Sequence, residues 1–175
     1  MRICNKATVI YYGKNNGPRA FHLNGYFEIF SGLPHFYSDP DIDFEFMAEN
    51  YVEYLMDLSE KYKSFKVGSS LEIPDSEILR EDLYFNAHGK KYELSEWEKQ
   101  FWLNEIQEDV YSAPIDTTVH LFNPKFFNGA NFIDGIRVAK KGFAARHLPW
   151  YKTSNLDEIE DGIYYKNTQV GWNNY

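Results

Sequence analysis

Short apolar or alternating runs recur along the chain, separated by three stretches with helical spacing. "ATVIYY", 7–12, is β-branched and aromatic and predicts a strand. In "KNNGPRAFHLNGYFEIF", which follows after one glycine, Asn16 can cap and Pro18 can occupy a first turn, so a helix is expected to about Phe30. "PHFYS", 34–38, predicts a second strand. "FMAENYVEYLMDLSEKYK", 46–63, places Met47, Tyr51, Tyr54, Leu55, Leu58 and Tyr62 at helical spacing. "FKVGSSLEI", 65–73, reads as a strand, and "ELSEWEKQFWLNEI", 93–106, as a helix capped by Ser95 with Trp97 and Phe101 on one face. "IDTTVHLF", 115–122, "GIRVA", 135–139, and "FAARH", 143–147, predict three more strands. The order β-α-β-α-β-α-β-β-β predicts an α/β fold, a sheet parallel early and mixed late, in a single domain. Ligands of open α/β sheets gather beyond the carboxyl ends of strands. That directs attention to "FYSDPDIDF", 36–44, where three carboxylates follow an apolar run.

Composition narrows the function classes. A chain of 175 residues can bury a real core. The net charge of −8 argues against a general nucleic-acid binder, which needs a basic surface. Cys4 is the single cysteine, so no internal disulfide framework is available and a reducing compartment is expected. No apolar run approaches the roughly 20 residues that span a bilayer, and the N-terminus lacks a signal-peptide core. A cytoplasmic protein without a transmembrane segment is the expectation. Aromatic residues make up 18% of the chain, enough to build a core and also stacking floors for sugars or bases.

Within "FYSDPDIDF", Asp39 and Asp41 stand at i and i+2, stiffened by Pro40. Such a pair can reach one divalent cation, Mg²⁺ or Mn²⁺, leaving positions open for phosphate oxygens. The alternative is a solvated Asp/Pro turn. His147 in "ARHLPWY" ends an alternating run and can add a nitrogen ligand to the same metal, or be an ordinary satisfied histidine. His120, inside "TTVHLF", is a weaker candidate, and His22, His35 and His88 have no suggestive setting. Asp116 opens a strand in "APIDTTV" and can serve as a general base or merely shape a turn with Thr117 and Thr118. In "ELSEWEKQFW", Glu96 and Glu98 flank Trp97, with Trp102 beyond; a Trp beside carboxylates can bind a sugar, or form the core face of a helix. Arg19 in "NNGPRAF" can approach a phosphate at a helix N-terminus, but the segment is neither a P-loop nor a G-x-G-x-x-G.

Taken in order, "NNGPRAFHLNGYFEIFSGLPHFYSDPDIDF", "KVGSSLEI", "EWEKQFW", "APIDTTVHLF" and "IRVAKKGFAARHLPWY" resemble blocks of bacterial and viral glycosyltransferases of family 2, of GT-A type. The resemblance covers about residues 7–165; the D-x-D is common, whereas the ordered set of motifs is far more specific. It implies a GT-A-like mixed sheet, a nucleotide-diphospho-sugar donor (UDP- or GDP-linked), a glycan or other hydroxyl acceptor, Mn²⁺ or Mg²⁺, and transfer with inversion. By position, Asp39 and Asp41 match the metal-binding D-x-D and His147 the late histidine of the metal site. Asp116, Glu96 or Glu98 would take the acceptor proton, and Arg19, Asp39, Trp97 and Trp150 would contact the nucleotide sugar. Such enzymes usually begin with a β-α-β segment that holds the nucleotide, and here little precedes "NKATVIYY". The expectation is therefore a truncated Rossmann-like sheet, with a homodimer covering an exposed edge. The rival reading is a non-catalytic remnant that binds a glycan or a partner. A metal-dependent phosphoesterase using the same carboxylates is a third.

Overall fold

The computed structural model describes residues 20–73, 75, 78–80, 84–87, 89–116, 118–129 and 131–152. The predicted strand at 7–12, Arg19, His88 and Thr117 lie outside them. In chain order the elements are α1 (Ala20–Leu23), α2 (Tyr26–Phe30), β1 (His35–Ser38), β2 (Ile42–Asp43), α3 (Tyr51–Tyr62), β3 (Lys66–Ser69), β4 (Tyr84–Ala87) and β5 (Lys90–Glu93). They continue with α4 (Leu94–Lys99), β6 (Glu105–Gln107), β7 (Val110–Ser112), β8 (Val119–Phe122), β9 (Ile136–Val138) and β10 (Arg146–His147). This is a mixed α/β fold.

Six strands form one sheet in the order β1-β8-β3-β9-β7-β6. The expected early parallel arrangement is corrected here: β3 and β9 run parallel, and every other neighbouring pair is antiparallel. Two segments change character for local reasons. The helix expected to run to Phe30 is broken into α1 and α2, because Gly25 adopts φ 78° and the Asn24 side chain closes back on the Ala20 carbonyl. The helix expected over 93–106 ends in a 3₁₀ turn at Gln100–Trp102, after which Glu105–Gln107 pairs with β7. The β6–β7 hairpin and the β4–β5 hairpin, whose turn holds Gly89 at φ 73°, are additions to the predicted set.

The strongest helical period does become α3, which starts at Tyr51 after turns in which the Ala48 N–H donates to the Gly142 carbonyl. Tyr51, Leu55 and Leu58 pack on Val67, Leu121, Ile136, Val138 and Val110 of the sheet. The Tyr51 hydroxyl lies 2.6 Å from Ser69 Oγ, which donates to the Phe143 carbonyl, also at 2.6 Å. The opposite face is chemically different. Because strand side chains alternate, the register sets Tyr37, His120, Gly68 and Arg137 in one row across it, with His35, Phe122 and Lys66 beside them.

Candidate functional site

Three of the motif segments converge at one end of the sheet. The acidic turn leaves β1 and is pinned at its start by the Asp39 N–H, which donates to the Thr118 carbonyl at 2.8 Å. At its other end the Asp41 carbonyl accepts the Leu148 N–H at 2.9 Å. Between them β2 pairs antiparallel with β10, setting His147 opposite Ile42 and Arg146 opposite Asp43. The apolar residues Ile42, Leu71, Ala145, Trp150 and Tyr151 pack together here, anchoring the ribbon. Alternating apolar and polar residues thus fold both segments into a hairpin-like pair without a shared turn.

This pairing brings His147 Nε2 to 3.3 Å from Asp41 Oδ2, with both side chains mostly buried. Two ligand atoms on adjacent corners of an octahedral Mg²⁺ shell stand about 3 Å apart. The separation therefore suits either a direct contact or shared ligation of one cation. Asp39 is not drawn into the same cluster: among the described residues no group of three His, Cys, Asp or Glu is spaced to hold a metal.

Asp39 and Asp116 instead share a neighbour, Tyr37. Burial, then the charges of Asp39 and Asp116, push the Tyr37 phenol up to about 12. It therefore remains a neutral O–H beside two carboxylates. Its ring stacks on His120 at 5.4 Å. Sequence reasoning missed Tyr37, although its i, i+2 spacing from Asp39 on an extended segment was a usable signal. Arg146 flanks the ribbon, held by Glu72 at 2.9 Å and lying 4.2 Å from the Phe46 ring centre.

The fourth motif turns inward, and three expectations are corrected by it and by the packing under the ribbon. Glu98 is 1% exposed, accepts Arg137 Nη1 at 3.0 Å and the Leu71 N–H at 2.9 Å, and so cannot meet an acceptor hydroxyl. Trp97 stacks on Phe85 at 4.1 Å and on the edge of Phe101, in a core cluster rather than a sugar wall. Trp150 is 7% exposed and packs edge-on to His147 at 5.4 Å, so it backs the histidine instead of facing a ligand. Glu96 is exposed on α4. Arg19 lies outside the described residues. Among the described residues no helix is long and apolar enough to cross a membrane.

No family model, curated protein or solved structure matches the chain.

Proposed function

We propose that this chain is a metal-dependent glycosyltransferase of GT-A type, moving a sugar from a UDP- or GDP-linked donor to a hydroxyl acceptor. The observation that carries the reading is the Asp41–His147 contact, made by two segments distant in sequence, each drawn from a motif of the resemblance.

Asp41 and His147 would hold a Mn²⁺ or Mg²⁺ ion, with Asp39 reaching it through water or the donor. Such an ion, when bound, supplies charge neutralisation to a diphosphate leaving group. Asp116 takes the proton of the acceptor hydroxyl as that oxygen bonds to the anomeric carbon and the bond from that carbon to the diphosphate breaks, its electron pair leaving with the diphosphate. With Glu98 in the core, Asp116 is the better placed base, and exposed Glu96 the lesser one. Tyr37, kept neutral beside Asp39 and Asp116, donates a hydrogen bond to a sugar hydroxyl or phosphate oxygen. Trp97 and Trp150 contribute by shaping the scaffold beneath.

Calorimetry with UDP and GDP, with and without Mn²⁺, tests this. Wild type should bind one nucleotide only with metal. Asp41→Ala should weaken that binding by at least about 100-fold, since losing even an outer-shell partner costs roughly 10–100-fold. Absence of nucleotide binding under every metal condition would overturn the reading and favour a non-catalytic remnant.

A further inference from the structure

The sheet face that carries Tyr37 also carries two buried cations. Lys66, on β3, is 0% exposed. Its Nζ donates to the carbonyls of Ile115 at 2.8 Å, Asp116 at 3.0 Å and Phe132 at 3.1 Å, and sits 4.1 Å from the Phe132 ring centre. Arg137, on the neighbouring strand β9, is 2% exposed and donates from Nε to the Pro114 carbonyl at 2.6 Å. Its Nη1 goes to Glu98. Three consecutive carbonyls, of Pro114, Ile115 and Asp116, thus end on two buried cations. The amides join in: Ala113 N–H donates to the Gly135 carbonyl at 3.1 Å and Ile115 N–H to the Ile133 carbonyl at 2.7 Å.

An ordinary connection turns its carbonyls to water. Burying an ammonium is costly unless each of its donors is matched. Lys66 has three N–H donors and three carbonyl acceptors, a full complement. Mere filling of the space would be served by an apolar side chain at far lower desolvation cost. What the lysine adds is position, since its three bonds fix the 115–116 backbone and the Phe132 loop relative to the central strand.

We propose that Lys66, assisted by Arg137, is a positioning residue: it clamps the backbone of residues 114–116 so that the Asp116 carboxylate is presented beside Tyr37. The clamp rests on the hydrogen bonds alone; its effect on transfer rests on the reading of Asp116 as base. Lys66 is the half to test, because Arg137 also neutralises Glu98.

Three measurements separate these layers. In isotopically labelled wild type, NMR should resolve a Lys66 ammonium with couplings across hydrogen bonds to the Ile115 and Asp116 carbonyl carbons. In Lys66→Met, the Ile115 amide should exchange about tenfold faster or more, as expected for losing charged hydrogen bonds. The Val67 and Leu121 amides should keep their protection, and Lys66→Arg should recover part of the Ile115 protection. If wild type is a transferase, Lys66→Met should lower kcat by about 100-fold, as for a misplaced group, with KM nearly unchanged. Missing couplings in wild type, or unaltered Ile115 exchange in a folded Lys66→Met, overturns the clamp, and the first arm decides even if that variant does not fold. A KM-only effect in an active enzyme overturns its link to Asp116. Intact couplings in a protein that binds no nucleotide would overturn the transferase reading and leave the clamp standing.

Discussion

A carboxylate removed from water must find charge and donors to replace it, and Glu98 finds both. Arg137 Nη1 lies 3.0 Å from Oε1, the Leu71 N–H donates to the same oxygen, and the guanidinium rests 3.9 Å from the Phe101 ring centre. Burial pushes the Glu98 carboxyl up, while Arg137 and the Leu71 N–H oppose that shift. The buried Trp102 indole N–H, which makes no hydrogen bond of good geometry, also lies near enough to favour the charged form. Truncating one member of such a pair strands the other. Glu98→Ala should therefore cost about 3–5 kcal/mol of stability, read from the urea midpoint at constant m-value. Glu98→Gln keeps an acceptor for the Leu71 N–H and should cost less. A loss under about 1 kcal/mol for Glu98→Ala would mean that water reaches Arg137, and the pair would not be the buried scaffold described.

At the level of elements, β3 is the strand on which the sheet turns, antiparallel to β8 on one side and parallel to β9 on the other. Its contact with β8 is unusually close: a Cβ added at Gly68 would stand 2.2 Å from the Val119 carbonyl oxygen and 2.8 Å from His120 Cβ. Neither neighbour is the far end of a flexible chain, so backbone must move. Gly68→Ala should destabilise by roughly 2–3 kcal/mol, the upper part of the range for overpacking, and loosen amide protection across β3–β8 before β7–β9. A neutral substitution would show that β3 and β8 slide freely. The same elements show what could be read from the chain alone. The strands β1, β3 and β9 and the helix α3 were legible because period 2 and period 3.6 reflect burial against the central core. The helix expected over 93–106 fails at Glu105 and Ile106, where pairing with β7 overrides local propensity. The hairpins are not legible because strands of three or four residues, YFNA, KKYE, EIQ and VYS, are too short to show a period. At the site, Asp41 and His147 could be picked out from strand ends and motif spacing. Lys66 and Arg137 could not, because a charged residue in an alternating strand reads as solvent-facing, and only the fold reveals a second covered face.

Across the described residues, the sheet separates two environments: an apolar layer under α3, and a polar layer where Lys66, His120 and Arg137 are enclosed beside half-buried Tyr37. Enclosure of that second layer makes global stability depend on pH through His120. Its ring is 1% exposed, stacked on Tyr37 from β1, with Lys66 from β3, His22 from α1 and His35 from β1 as the charged or titratable neighbours. Burial first, then the positive charge of Lys66 and of the two histidines, pushes the His120 imidazole well below its ordinary value. The folded protein therefore keeps His120 neutral, while the unfolded chain takes up its proton near pH 6.5. Below that pH the unfolded state binds more protons, so stability must fall as pH falls. The contribution is complete above about pH 6.5 and is lost by up to roughly 1.4 kcal/mol per unit below it, until the folded value is reached. Carboxylates of ordinary value protonate mainly below about pH 5, and Glu98, pushed up by burial, acts in the opposite sense, so between about pH 5 and 6.5 the difference between wild type and a His120 variant reports His120. Urea midpoints across that interval should decline in wild type and decline less in His120→Gln. Equal slopes in wild type and His120→Gln would require a charged imidazole beside the Lys66 ammonium, and the closed polar layer could not then exist as described.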